Sequence, residues 1–167
     1  PAEVQSLSQI VENAQNSLVS IWMKNRNGEG TYLATGAVIG DKNTVLVFDG
    51  ANLQRNEPYY VRLNDGREVK MERKDEPPFS GMRILGYVED EAEKPVLKGL
   101  KISPLAVEKL GANVVALGSK MDNYVVSTGI IAEFPETTEA AKNSVVTDIN
   151  LSSSASGWIL LNTSGNV

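Results

Sequence analysis

The spacing of apolar residues changes once along this chain, near Leu18. Before it, Val4, Leu7, Val11, Ala14 and Leu18 follow one another at steps of three and four. That spacing lines one face of a helix and predicts a helix over Glu3–Asn16. A short helix docked on the body is the simplest use for it, since a coiled-coil stalk needs further heptads. After Leu18 the period falls to two. Strands are predicted at Leu18–Lys24, Thr31–Ile39, Thr44–Phe48, Tyr59–Leu63, Glu68–Arg73, Met82–Val88, Asn113–Leu117, Tyr124–Phe134, Val145–Ile149 and Trp158–Asn162. They are rich in Val, Ile, Tyr and Thr, and turn residues separate them. In Asn64-Asp65-Gly66-Arg67 the Asp-Gly pair predicts a hairpin with a type I′ turn. Lys74–Gly81 contains Pro77 and Pro78, which lack ladder donors and exclude a central strand, and Glu89–Pro95 reads as an acidic, solvated loop. Many short strands with little helix predict an all-β barrel or sandwich.

Composition narrows the chemistry. Hydrophobic residues are 41% and charged residues 22% of the 167, enough for a globular core. The net charge of −5 and the scattered lysines and arginines argue against nucleic acid or anionic lipid as a partner. There is no Cys, which removes thiol nucleophiles, disulfides and the common zinc sites. There is no His, which removes the usual general base near neutrality and the commonest metal ligand. No cofactor is expected. No run of about 18 apolar residues predicts a membrane span. The chain opens on Pro-Ala-Glu rather than Met and reads as a piece of a longer protein.

Taken in order, the strand segments resemble the HtrA/Deg family of chymotrypsin-fold serine peptidases, from about Leu18 to Val167. Ser17-Leu18-Val19-Ser20-Ile21 resembles the family's opening strand, and Thr35-Gly36-Ala37-Val38-Ile39-Gly40 its Gly-Ser-Gly-Val-Ile-Ile strand. Tyr60–Val69 resembles the hairpin before the catalytic Asp. Asn113-Val114-Val115-Ala116-Leu117-Gly118-Ser119 resembles Trp-Val-Val-Ala-Ile-Gly-Asn, and Val126–Ile131 resembles Val-Thr-Ser-Gly-Ile-Val. Val146-Thr147-Asp148 resembles Gln-Thr-Asp, and Leu160-Leu161-Asn162 with Gly165-Asn166-Val167 resembles Leu-Leu-Asn with Gly-Glu-Val. The resemblance implies a trypsin-like fold of two antiparallel six-stranded β-barrels with a short N-terminal helix. Residues 1–17 would form the helix, 18–95 the first barrel and 96–167 the second, truncated at its C-terminal end.

It also implies a degenerate active site. Gly50 stands where the family has its catalytic His, and Gly81 where it has its Asp. Ser154-Ala155-Ser156-Gly157-Trp158 aligns with Gly-Asn-Ser-Gly-Gly, so Ser156 keeps the nucleophile's place and Gly157 the glycine after it. Ser154 replaces the glycine whose N–H belongs to the oxyanion hole, and Trp158 replaces a small glycine, where an indole would crowd the substrate side. Ser156 without a base reads as a turn serine, because a free hydroxyl is a poor nucleophile. Lys101, Lys120 and Lys142 have no motif tying them to it as a substitute base. Ser152–Gly157 reads as a remnant loop rather than an anion cradle. Asp49, Asp122 and Asp148 read as isolated structural acids, and Trp22 as a packing residue.

The expectation is therefore a pseudo-peptidase that binds, scaffolds or regulates, with Ser154, Ser156, Gly157 and Trp158 at its binding surface and protein or peptide as its partner. A homo-oligomer or a partner peptidase, in the bacterial envelope or periplasm, is what the resemblance adds. The alternatives are a serine hydrolase using Ser156 with a non-histidine base, and a purely structural or oligomerisation domain.

Overall fold

The computed structural model describes residues 5–47, 53–74, 82–121, 123–135 and 144–167. Its single α-helix among these, α1 (Leu7–Gln15), is shorter than the predicted Glu3–Asn16, whose first residues lie outside the described ones. A capping box sets the start: the Ser6 hydroxyl accepts from the Gln9 N–H at 3.3 Å, and the Gln9 side chain accepts from the Ser6 N–H at 2.9 Å. The buried face is carried by Ile10 and Ala14, while Leu7 is 47% exposed and Leu18 belongs to the first strand.

Six strands follow: β1 (Leu18–Lys24), β2 (Gly30–Ile39), β3 (Thr44–Val47), β4 (Tyr59–Arg62), β5 (Glu68–Arg73) and β6 (Arg83–Tyr87). They close into an antiparallel barrel in the order β1-β2-β3-β6-β5-β4, with β1 pairing both β2 and β4. Closure leaves no sheet edge among the described strands of this half. Alternation along the strands sends Ile21, Val45, Val47, Val61, Met71 and Leu85 inward, all fully buried. The outward positions carry an aromatic row. Trp22 stands opposite both Tyr32 and Tyr60, and Tyr60 opposite Lys70.

The second half holds β7 (Asn113–Lys120), β8 (Asn123–Glu133), β9 (Val146–Thr147) and β10 (Ser156–Leu161), ordered β10-β7-β8-β9. Among the described residues this is an open four-stranded sheet, where a second six-stranded barrel was expected. Both β10 and β9 are edges. One face of this sheet packs on the first half. Val115, Leu117, Ile159 and Leu161 share a core with Leu18 and Ala37 of the barrel and with Ile10 and Ala14 of α1. The helix thus wedges against both halves.

One turn differs from its prediction. At Asn64–Arg67 the Leu63 N–H donates to the Arg67 carbonyl at 2.8 Å, and Gly66 sits at φ +88°. Asn64 and Asp65 keep negative φ, so this is a three-residue loop closed by a glycine bulge, not a two-residue type I′ turn.

Candidate functional site

Ser156 opens β10 and stands opposite Ser119 of β7. The ladder slips between Ser156 and Ile159, a bulge formed by Gly157 and Trp158. Gly157 has φ +62°, and a Cβ there would lie 2.7 Å from the Thr35 Cβ of β2. Only glycine meets both demands. The bulge therefore brings the Ser156 loop against the barrel wall. Beside it runs a chain of hydroxyls, half-buried at Tyr32 and buried at Thr35 and Ser119: Tyr32 Oη lies 2.5 Å from Thr35 Oγ1, which lies 3.2 Å from Ser119 Oγ. Thr35 is 2% and Ser119 3% exposed, so this chain stitches the two halves together.

The Ser154 N–H turns into its own loop and donates to Ser152 Oγ at 3.1 Å, with the two hydroxyls 2.7 Å apart. In this arrangement it is not aimed at a substrate oxygen. Among the described residues no hydrogen bond reaches the Ser156 hydroxyl. Lys101 and Lys120 are exposed. Gly50, Gly81, Asp49, Asp122 and Lys142 lie outside the described residues. Val47, which ends β3 before the Gly50 segment, pairs with Gly36 beside Thr35, and Arg83, which opens β6 after the Gly81 segment, pairs with Val47. Asp148 is structural: its Oδ1 accepts from the Ile130 N–H at 2.7 Å and fills the space a Cβ on Gly129 would need. Among the described residues no three metal-ligating side chains gather.

Trp158 points away from this seam. Ile159 and Leu161 enter the shared core, so Trp158 and Leu160, one step out of phase, line the opposite sheet face. The indole lies flat on Gly118, where a Cβ would come within 2.7 Å of the ring. It borders an apolar cavity of about 280 Å³ with Leu160, Leu105, Val114 and Ile131.

A second cavity, of about 240 Å³, opens where the β4–β5 and β7–β8 hairpins meet. Ser20, Arg62, Asn64, Ser119, Met121 and Tyr124 are among its walls, and the Tyr124 hydroxyl donates to Asn64 Oδ1 at 3.1 Å across its rim. Sequence reasoning missed Thr35, Ser119 and this cleft. Isolated hydroxyl residues in strands carry no motif, and Arg62 became a site residue only by the pairing of β4 with β1.

These features define an all-β protein built from a closed six-stranded barrel and a sheet, joined by a seam that carries a serine loop. No protein-family model and no curated protein matches the sequence.

Proposed function

We propose that this chain is a catalytically inactive, HtrA/Deg-like serine-peptidase module that binds protein or peptide instead of cleaving it. The observation that carries the reading is the setting of Ser156. It occupies a glycine-bulged loop at the junction of two β-rich halves, the place the resemblance assigns to a nucleophile. Yet its hydroxyl has no hydrogen-bonded base among the described residues, and the chain has no histidine. Proton removal is what makes a serine nucleophilic, and an oxyanion hole needs donors aimed at the substrate. The inward-turned Ser154 N–H does not supply one.

Binding survives the loss of proton transfer. β10 is a sheet edge, and an extended peptide pairs with such an edge through its backbone. The apolar cavity beside Trp158 and Leu160 offers a place for one apolar side chain of that peptide. The same resemblance places the module in the bacterial envelope or periplasm, as a homo-oligomer or beside an active peptidase.

Exposure to a fluorophosphonate reagent tests the inactivity, with no labelling of Ser156 expected. Stoichiometric labelling that disappears in Ser156→Ala would establish the hydrolase instead. A fluorescein-labelled extended apolar peptide tests the binding by polarisation. Trp158→Gly weakens it where the indole is a contact and strengthens it where the indole fills the pocket. No binding to either form would leave the scaffold reading.

A further inference from the structure

The cleft around Arg62 belongs to neither the Ser156 loop nor the Trp158 cavity, and its chemistry is different. Among the described residues ten line it, and Arg62 is the charged one of these. The guanidinium is held in place from behind: its Cζ lies 4.5 Å from the Trp22 ring centroid, a cation–π contact. Trp22 is itself fixed, standing edge-on to Tyr32 with ring centroids 5.6 Å apart and donating its indole N–H to Ser20 Oγ at 2.9 Å. Among the described residues the carboxylate paired with Arg62 is that of Glu68, whose Oε2 is 3.7 Å from Nη2. That is beyond hydrogen-bond length, and Glu68 is drawn instead to Lys24, with which it forms the close ion pair. The fork of Arg62 is thus positioned by aromatic stacking but, among the described residues, not closed by a bidentate partner.

Hydroxyl groups complete the polar side. Ser20 Oγ accepts from Trp22 and keeps its own proton to donate, and Ser20 stands directly opposite Arg62 in the β1–β4 ladder. Of the apolar residues among its walls, Leu18, Val19 and Leu63 are buried and Met121 is exposed. A planar guanidinium presents parallel N–H donors that match the two oxygens of one carboxylate. A dianionic phosphate would leave charge uncompensated by the single cation among the lining residues.

We infer that the cleft between the β4–β5 and β7–β8 hairpins is a carboxylate-binding site, in which the Trp22-stacked Arg62 takes the carboxylate and the exposed Met121 side chain packs against a short aliphatic arm. This stands independently of the pseudo-peptidase reading, because it uses neither Ser156 nor β10. The carboxylate has two possible sources, the free C-terminus of a peptide and a small aliphatic acid.

Titration calorimetry of the 167-residue chain with N-acetyl-Ala-Val, its C-terminal amide and isovalerate separates these cases. The acid peptide is expected to bind and the amide not, with the Trp22 indole proton resonance shifting on addition of the acid. Arg62→Gln should weaken the acid by roughly tenfold or more, the size of a charge-assisted hydrogen bond. Arg62→Lys, which keeps the charge but loses the fork, should fall between. Glu68→Gln, which removes the competing carboxylate, should tighten binding a few-fold. Isovalerate binding as well as the peptide assigns the site to small acids, and peptide binding alone assigns it to C-termini; either supports the inference. Equal binding of acid and amide overturns it. So does binding that is indifferent to Arg62→Gln in a variant whose amide spectrum stays native, or no binding of either acid at millimolar concentration.

Discussion

Gly157 and Gly66 both sit at positive φ, but they do so for different reasons. At Gly66 a Cβ would meet nothing within 4 Å, so the residue answers only to the backbone. At Gly157 a Cβ would strike Thr35 as well, at 2.7 Å from its Cβ and 2.9 Å from its carbonyl oxygen. Left-handed backbone costs an L-residue about 1–2 kcal/mol, and backbone oxygen does not step aside. Gly157→Ala should therefore destabilise by roughly 3 kcal/mol or more, adding overpacking to strain. Urea denaturation checks it; a loss near 1 kcal/mol would mean that the Ser156 loop is free to leave the barrel wall. The sequence showed Gly157 as the residue after a serine. It did not show that the glycine is where β10 touches β2.

At the scale of elements, one hairpin design recurs. Asn25–Glu29, Leu63–Arg67 and Asn162–Asn166 each close with an N–H to carbonyl bond across a three-residue loop, and Gly28, Gly66 and Gly165 occupy the left-handed position in each. Glycine one residue before the closing partner is what this loop demands. Gly66→Ala should cost about 1 kcal/mol, strain alone, and should speed amide exchange of Leu63 more than that of core residues such as Val45. No loss in thermal melting would show that the β4–β5 loop relaxes to another turn. The hairpin was legible from Asp65-Gly66, but its type was not. Asn64, Asp65 and Gly66 fit either geometry locally, and the pairing register of Arg62 with Glu68 decided between them. Helix α1 was legible from its periodicity, yet its buried face was displaced to Ile10, because the barrel and the sheet approach it from that side.

For the molecule as a whole, the two halves are coupled by a common core. Leu18 and Ala37 of the barrel, Ala14 of α1, and Leu117 and Ile159 of the sheet form one buried cluster. The hydroxyl chain of Tyr32, Thr35 and Ser119 adds a polar stitch. Such sharing predicts one cooperative transition. Ile159→Ala, which empties space in that cluster, should cost roughly 2–5 kcal/mol. Tryptophan fluorescence and far-ultraviolet circular dichroism should shift together, although Trp22 and Trp158 lie in different halves. Separate transitions by the two signals would show that the halves unfold independently.

The alternation of apolar residues from Leu18 onward determined by itself that the chain is mostly β, where most strands lie and which side chains face inward. Those properties depend on spacing along one segment, and a period of two is visible without knowing any partner. The absence of His and Cys likewise limited the chemistry before any geometry was known. Tertiary structure decided the rest. Strand order closed the first six strands into a barrel and left the second half an open sheet among the described residues. The bulge at Gly157 aimed Trp158 at Gly118 rather than at the seam, and the pairing of β1 with β4 set Arg62 against Trp22. Each of these joins residues distant in the chain, and such contacts follow from which strand edges pair, a choice that local spacing does not encode.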